Sequence, residues 1–78
     1  MLVMELVREN DDKVIYNYYP EGREAFGTIA IDKENGDVSV VKRSDEKELS
    51  SYCGHALRTL QKYRNIGEYK LKDTVAWC

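Results

Sequence analysis

Proline is almost missing from this chain, Pro20 being the only one. With so few imposed breaks, the boundaries of its elements fall to glycine, asparagine and aspartate clusters. Cysteine is scarce as well. Cys53 and Cys78 are too few for the disulfide frameworks that hold small secreted domains together. As the last residue, Cys78 does not fit a prenylation signal, whose cysteine stands four residues from the end. No apolar run approaches the roughly 20 residues of a membrane-spanning helix, and the opening MLVMELVREN has neither a basic leader nor a cleavage-like site. Cytoplasmic localisation is the expectation. Phosphate-binding loops, dinucleotide fingerprints, nucleophile elbows and zinc-protease helix motifs are all lacking.

What is there suits an ordinary globular protein: 42% hydrophobic and 33% charged residues. The 78 residues make one domain, 1–78, of a size at which a lone core barely offsets the entropy of ordering the chain. Partners are therefore expected to matter. A net charge of -2 argues against a dedicated nucleic-acid binder. The charge is uneven, however. Residues 1–53 carry seven basic and twelve acidic side chains, and residues 54–78 carry five and two.

The first half reads as four strands separated by turn chemistry: Met1 to Glu9, Lys13 to Tyr19, Ala25 to Asp32 and Asp37 to Lys42. The short connections Asn10-Asp11-Asp12, Pro20-Glu21-Gly22 and Lys33-Glu34-Asn35-Gly36 predict antiparallel hairpins. A one-residue slip would turn every side chain to the other face, so the register can be tested against hydrophobicity. A loop of residues 10–12 sets Leu6 beside Tyr16. A turn centred on Glu21-Gly22 sets Tyr16 beside Gly27, where glycine makes room for a ring or for the helix. A two-residue Asn35-Gly36 turn or a four-residue loop, Lys33 to Gly36, puts Ile29 and Ile31 on one face with Val38 and Val40. The predicted core face is then Leu2, Met4, Leu6, Val14, Tyr16, Tyr18, Ala25, Gly27, Ile29, Ile31, Val38 and Val40.

In the second half, Leu49, Tyr52, Cys53, Ala56, Leu57, Leu60 and Tyr63 recur at spacings of three and four, one apolar stripe of a helix. Ser44 or Asp45, with Glu48 behind, predicts its cap. Asn65-Ile66-Gly67 predicts its end, with Gly67 left-handed just past it. Asp73 to Trp77 reads as a short fifth strand, with Val75 and Trp77 on one face. The expected fold is α+β: a four-stranded antiparallel meander, one amphipathic helix packed on one face, and a C-terminal strand (β-β-β-β-α-β). Pairing of the fifth strand beside the first gives the sheet order 4-3-2-1-5.

Candidate chemistry is thin. Cys53 and His55, two apart on a helix, point about 200° apart, and with Cys78 they are too few for a zinc site. A core cysteine and a surface histidine are the plainer reading; no cofactor, metal or catalytic residue is assigned. Gly54 falls away from the apolar stripe, where glycine costs about 1 kcal/mol relative to alanine and leaves space for a subunit or ligand to approach. Tyr16, Tyr18, Tyr19 and Phe26 suggest base stacking, but the basic-aromatic signature of RNA-recognition domains is absent. The fourteen carboxylates are scattered, with no acid and base pair among them.

At Tyr19-Pro20-Glu21-Gly22, Gly27-Thr28-Ile29-Ala30-Ile31, Asn35-Gly36-Asp37, Tyr52-Cys53-Gly54-His55-Ala56-Leu57 and Val75-Ala76-Trp77, the chain resembles small hypothetical bacterial proteins of unknown function. The likeness spans most of residues 16–78. It implies a bacterial or phage-related cytoplasmic protein and brings no functional residue with it.

The more useful clue is the reverse face of the predicted sheet: Val3, Val7, Ile15, Tyr19, Phe26 and Val41, mixed with Glu5, Asn17, Glu24, Thr28 and Ser39. A single helix covers one face only, so these apolar groups need another cover. The leading expectation is a non-enzymatic protein-interaction module that self-associates, as a homodimer, or binds a protein partner there. Its rival is that the segment from Glu68 onward folds across the patch. A second reading is weak nucleic-acid association through His55, Arg58, Lys62, Arg64, Lys70 and Lys72; a third is a small-molecule enzyme around His55.

Overall fold

The computed structural model describes residues 1–44 and 50–76. They form β1 (Leu2–Glu9), β2 (Lys13–Pro20), β3 (Gly27–Asp32), β4 (Val38–Lys42), α1 (Ser50–Ile66) and β5 (Lys72–Val75). Every strand pair is antiparallel and the order is β4-β3-β2-β1-β5, with α1 packed on one face. The α+β class and the strand order are those expected from the sequence. The cap residues Asp45 and Glu48, Leu49 of the stripe, Trp77 and Cys78 lie outside the described residues.

The core is the meeting of two periodicities. Leu2, Met4, Val14, Tyr16, Tyr18, Ile29 and Ile31 are buried from the sheet at every second position, and Cys53, Ala56, Leu60 and Tyr63 from the helix at every third or fourth. α1 ends where Gly67 turns left-handed (φ 76°). There the Gly67 N–H donates to the Arg64 carbonyl at 3.2 Å and the Glu68 N–H to the Tyr63 carbonyl at 3.1 Å, the Schellman arrangement.

Two of the turns set the register differently from the expectation. In the first hairpin, Asn10 Oδ1 accepts from the N–H groups of Asp12 and Lys13 at 2.9 and 2.8 Å, and Glu9 pairs with Val14 across a four-residue loop. Leu6 nevertheless sits opposite Tyr16, as predicted, because a bulge at Val7 absorbs the extra residue. In the second connection, Glu21 and Gly22 are both left-handed (φ 54° and 69°), but the β2–β3 ladder lies two residues further on, pairing Tyr16 with Ile29 and Tyr18 with Gly27. The predicted Tyr16–Gly27 pair is thus corrected. A shift of two keeps the faces and changes the partner, and it is the Tyr18 ring that occupies the space a side chain on Gly27 would fill. The third register, Ile29 with Val40 and Ile31 with Val38, is that of the four-residue loop.

The predicted core face is trimmed at its edges. Leu6 and Val38 are only half-buried, Ala25 is exposed because β3 starts after it, and Val40 at the sheet edge is 40% exposed.

Burying tyrosines requires partners for their hydroxyls, and the C-terminal segment provides them. Tyr16 donates to the Lys70 carbonyl and Tyr63 to Asp73 Oδ2, both at 2.5 Å, with the two rings 5.5 Å apart. Tyr69 stands edge-on to Tyr63. β5 then pairs with β1 from Leu2–Val75 to Glu5–Lys72, and the Leu6 N–H extends the ladder to the Leu71 carbonyl. The described part of this segment, residues 68–76, therefore closes the sheet edge and does not fold across the reverse face.

Two predictions follow from this packing. Gly27→Ala is expected to cost about 1–3 kcal/mol, read from the urea midpoint, since its methyl meets the Tyr18 ring; an unchanged midpoint would show that the ring yields freely. Burial, with the Tyr63–Asp73 bond for one ring and nearby acids for the other, raises both the Tyr63 and Tyr16 phenols above their ordinary range. The folded chain keeps protons that the unfolded chain releases near pH 10. The stabilisation is thus full below that pH and is lost as pH rises. In an absorbance titration, these two rings are expected to ionise only as the chain unfolds, and Tyr63→Phe to flatten the alkaline loss of stability.

Candidate functional site

The side of the sheet away from α1 is not covered by any described element. Cross-strand pairing arranges it in three rows. Across one end run Thr74, Val3 and Tyr19, with Phe26 beside Tyr19 at 5.5 Å between ring centroids. Across the middle run Lys72, Glu5, Asn17, Thr28 and Lys42. Across the other side run Arg8, Ile15, Ala30 and Ser39.

The middle row is joined by polar contacts. Thr28 Oγ1 donates to Asn17 Oδ1 at 2.8 Å, and Lys72 Nζ lies 3.8 Å from Glu5 Oε1. Lys42 Nζ sits 4.5 Å from the centroid of Phe26, over its ring. The apolar groups are thereby divided into the Val3, Tyr19 and Phe26 row and the smaller Ile15 and Ala30 pair. At the Val3–Tyr19 end the surface sinks into an open depression of about 510 Å³, rimmed by Glu5, Lys72, Arg23 and Glu24.

At two of the six predicted interface residues a bulge interrupts the ladder. A bulge makes Val7 the unpaired residue of β1, so Arg8 takes the position opposite Ile15. A second bulge between Thr28 and Ile29 leaves Val41 unpaired, and Lys42 takes the position opposite Thr28. Strict alternation pairs each of these two valines across the sheet; in the folded ladder the neighbouring cation holds each paired position. Val7 and Val41 are 55% and 64% exposed. Val3, Ile15, Tyr19 and Phe26 are half-buried on the face where alternation placed them.

The predicted basic patch does not form one surface. Lys72 belongs to the outer face, across the sheet from α1. The Arg64 guanidinium reaches under the β3–β4 turn, donating from Nε to the Lys33 carbonyl at 3.1 Å and from Nη2 to the Glu34 carbonyl at 2.7 Å. It lies against Gly36, which is left-handed (φ 80°) and whose hydrogen leaves room for it. Arg64 is therefore a structural clamp between helix and hairpin, a role no sequence pattern marks. Arg58 and Lys62 stay exposed on α1, Lys70 is exposed on the segment that takes the Tyr16 hydroxyl, and His55 is half-buried with its carbonyl accepting from Thr59 Oγ1 at 2.8 Å.

Cys53 is buried in the helix stripe at 4% exposure. Among the described residues, no three His, Cys, Asp or Glu side chains come together as a metal site, and no helix is long and apolar enough to cross a membrane. Set against known proteins, the chain matches no family model, and no curated protein or solved structure matches it.

Gly54 has open space. A β-carbon there would find Arg58 Nη2 as its nearest neighbour, at 3.8 Å. Among the described residues nothing requires glycine, so Gly54→Ala is expected to stabilise the isolated protein by up to about 1 kcal/mol, measured by chemical denaturation. A loss of stability would contradict the open geometry.

Proposed function

We propose that this chain is a small protein-interaction module that docks a partner on the outer face of its sheet, the first occupant being a second copy of itself. The observation that supports this most is the half-buried row of Val3, Tyr19 and Phe26 on a face that no described element roofs. A standard interface takes about 800 Å² from each partner, roughly one sixth of this chain's 5101 Å² surface. The face also carries both signs of charge, with Arg8, Lys42 and Lys72 against Glu5 and Glu24 at the rim. A twofold arrangement can set cations of one copy against acids of the other.

Phe26 is the residue to test, because its ring contacts Tyr19 and Lys42 on the outer face and takes no part in the helix-side core. Phe26→Glu is expected to weaken self-association at least tenfold, about 1.4 kcal/mol, in sedimentation equilibrium, with an unchanged circular dichroism spectrum. A wild-type chain that stays strictly monomeric at high concentration would exclude the self-associating form of this function.

A further inference from the structure

We infer that the open edge of β4 takes up β4 of a second copy, in antiparallel register, extending the sheet from five strands to ten. This contact is separate from the outer face and goes beyond the function proposed above.

The two edges of the sheet are built differently. β5 has only four residues and exposes Lys72, shortness and a charge of the kind that protect an edge from further pairing. β4 is Val38-Ser39-Val40-Val41-Lys42, a β-branched strand with Val40 40% and Val41 64% exposed. Among the described residues no strand pairs with its outer side.

Backbone polarity selects the register. The Asp32 N–H donates to the Asp37 carbonyl at 2.9 Å, so Asp32 and Asp37 are a bonded pair of the β3–β4 ladder. Alternation along an antiparallel ladder then leaves Ile31–Val38 and Ile29–Val40 as the non-bonded pairs. The N–H and C=O groups of Val38 and Val40 consequently face the open edge. An antiparallel copy that sets Val38 opposite Val40 of its mate, with Ser39 of both chains on the twofold axis, joins these outward groups in bonded pairs on both sides of the axis.

Side chains favour the same register. Val38 and Val40 share the helix side with Ile31 and Ile29, so two Val38–Val40 contacts across the junction continue the core face from one copy into the next and cover the exposed part of Val40. Charge agrees as well. Lys42 and the following Arg43 come opposite the turn of the other copy, which carries Glu34 and Asp37. The twofold axis stands perpendicular to the sheet, placing both helices on one side and merging the two outer faces on the other.

Amide hydrogen exchange reads this contact locally. In the wild type, exchange at the Val38 and Val40 amides is expected to slow at least about tenfold between ~20 µM and ~1 mM protein, as bonded pairs form. Val40→Lys should abolish that concentration dependence with the fold intact by circular dichroism, whereas Phe26→Glu should leave it in place. Exchange at Val38 and Val40 that is equally fast at both concentrations overturns the edge contact, whether or not Val40→Lys folds. Concentration-dependent protection that Phe26→Glu removes also overturns it and assigns association to the outer face. A lower assembly mass in Phe26→Glu with edge protection retained supports both surfaces independently.

Discussion

Two tyrosine hydroxyls govern where the last part of the chain must go. Tyr16 and Tyr63 lie in the middle of the helix–sheet core, where an unpartnered phenol would carry a large desolvation penalty. Their acceptors, the Lys70 carbonyl and the Asp73 carboxylate, come from the segment that follows α1. Satisfying the core thus draws residues 68–76 to the helix side of the sheet and sets β5 against β1. The Met4–Asp73 pairing that results turns Asp73 inward to Tyr63 and Lys72 outward to Glu5.

That constraint has a consequence on the far side of the sheet. A single helix can roof one face, and residues 68–76 are committed to the core side. Among the described residues, none is left to cover the outer face. Arg64 reinforces the same economy in the last turn of α1, where its guanidinium ties the helix to the β3–β4 turn through two carbonyls and packs on Gly36. Helix position is thereby fixed at its C-terminal end by a charged side chain that is itself largely satisfied by backbone.

Signals with a repeat were legible in the sequence. Those set by single contacts were not. The stripe from Cys53 to Tyr63, the left-handed Gly67 and the strand order emerge from spacing and turn residues, because each involves several positions that agree. The β2–β3 register was misread by two residues because Gly27 has two tyrosines of the same face available, and only packing decides that Tyr18 and not Tyr16 lies over it. Neither bulge is marked by a glycine, so Val7 and Val41 read as ordinary alternating positions. Thr59, 8% exposed and bonded back to the His55 carbonyl, looks like a polar residue beside the stripe and is part of it. Arg64 likewise reads as one more surface cation among Arg58 and Lys62.

The bulges change what kind of surface the outer face is. Strict alternation would have made it a mostly greasy sheet with valines at both flanks, a surface whose attraction for other apolar surfaces is strong and unselective. Each bulge sets a cation at the paired position beside a valine, Arg8 on one side and Lys42 on the other, while Asn17 and Thr28 bond to each other through the centre. Apolar area supplies association free energy, but polar groups that must be matched on contact decide which partner is accepted, since a mismatched partner leaves them desolvated and unpaired. A divided face of this kind would give up some affinity for discrimination. The extra residue in each strand is the means, and it leaves the helix-side core almost untouched, because the pairs Leu6–Tyr16 and Ile29–Val40 keep their places.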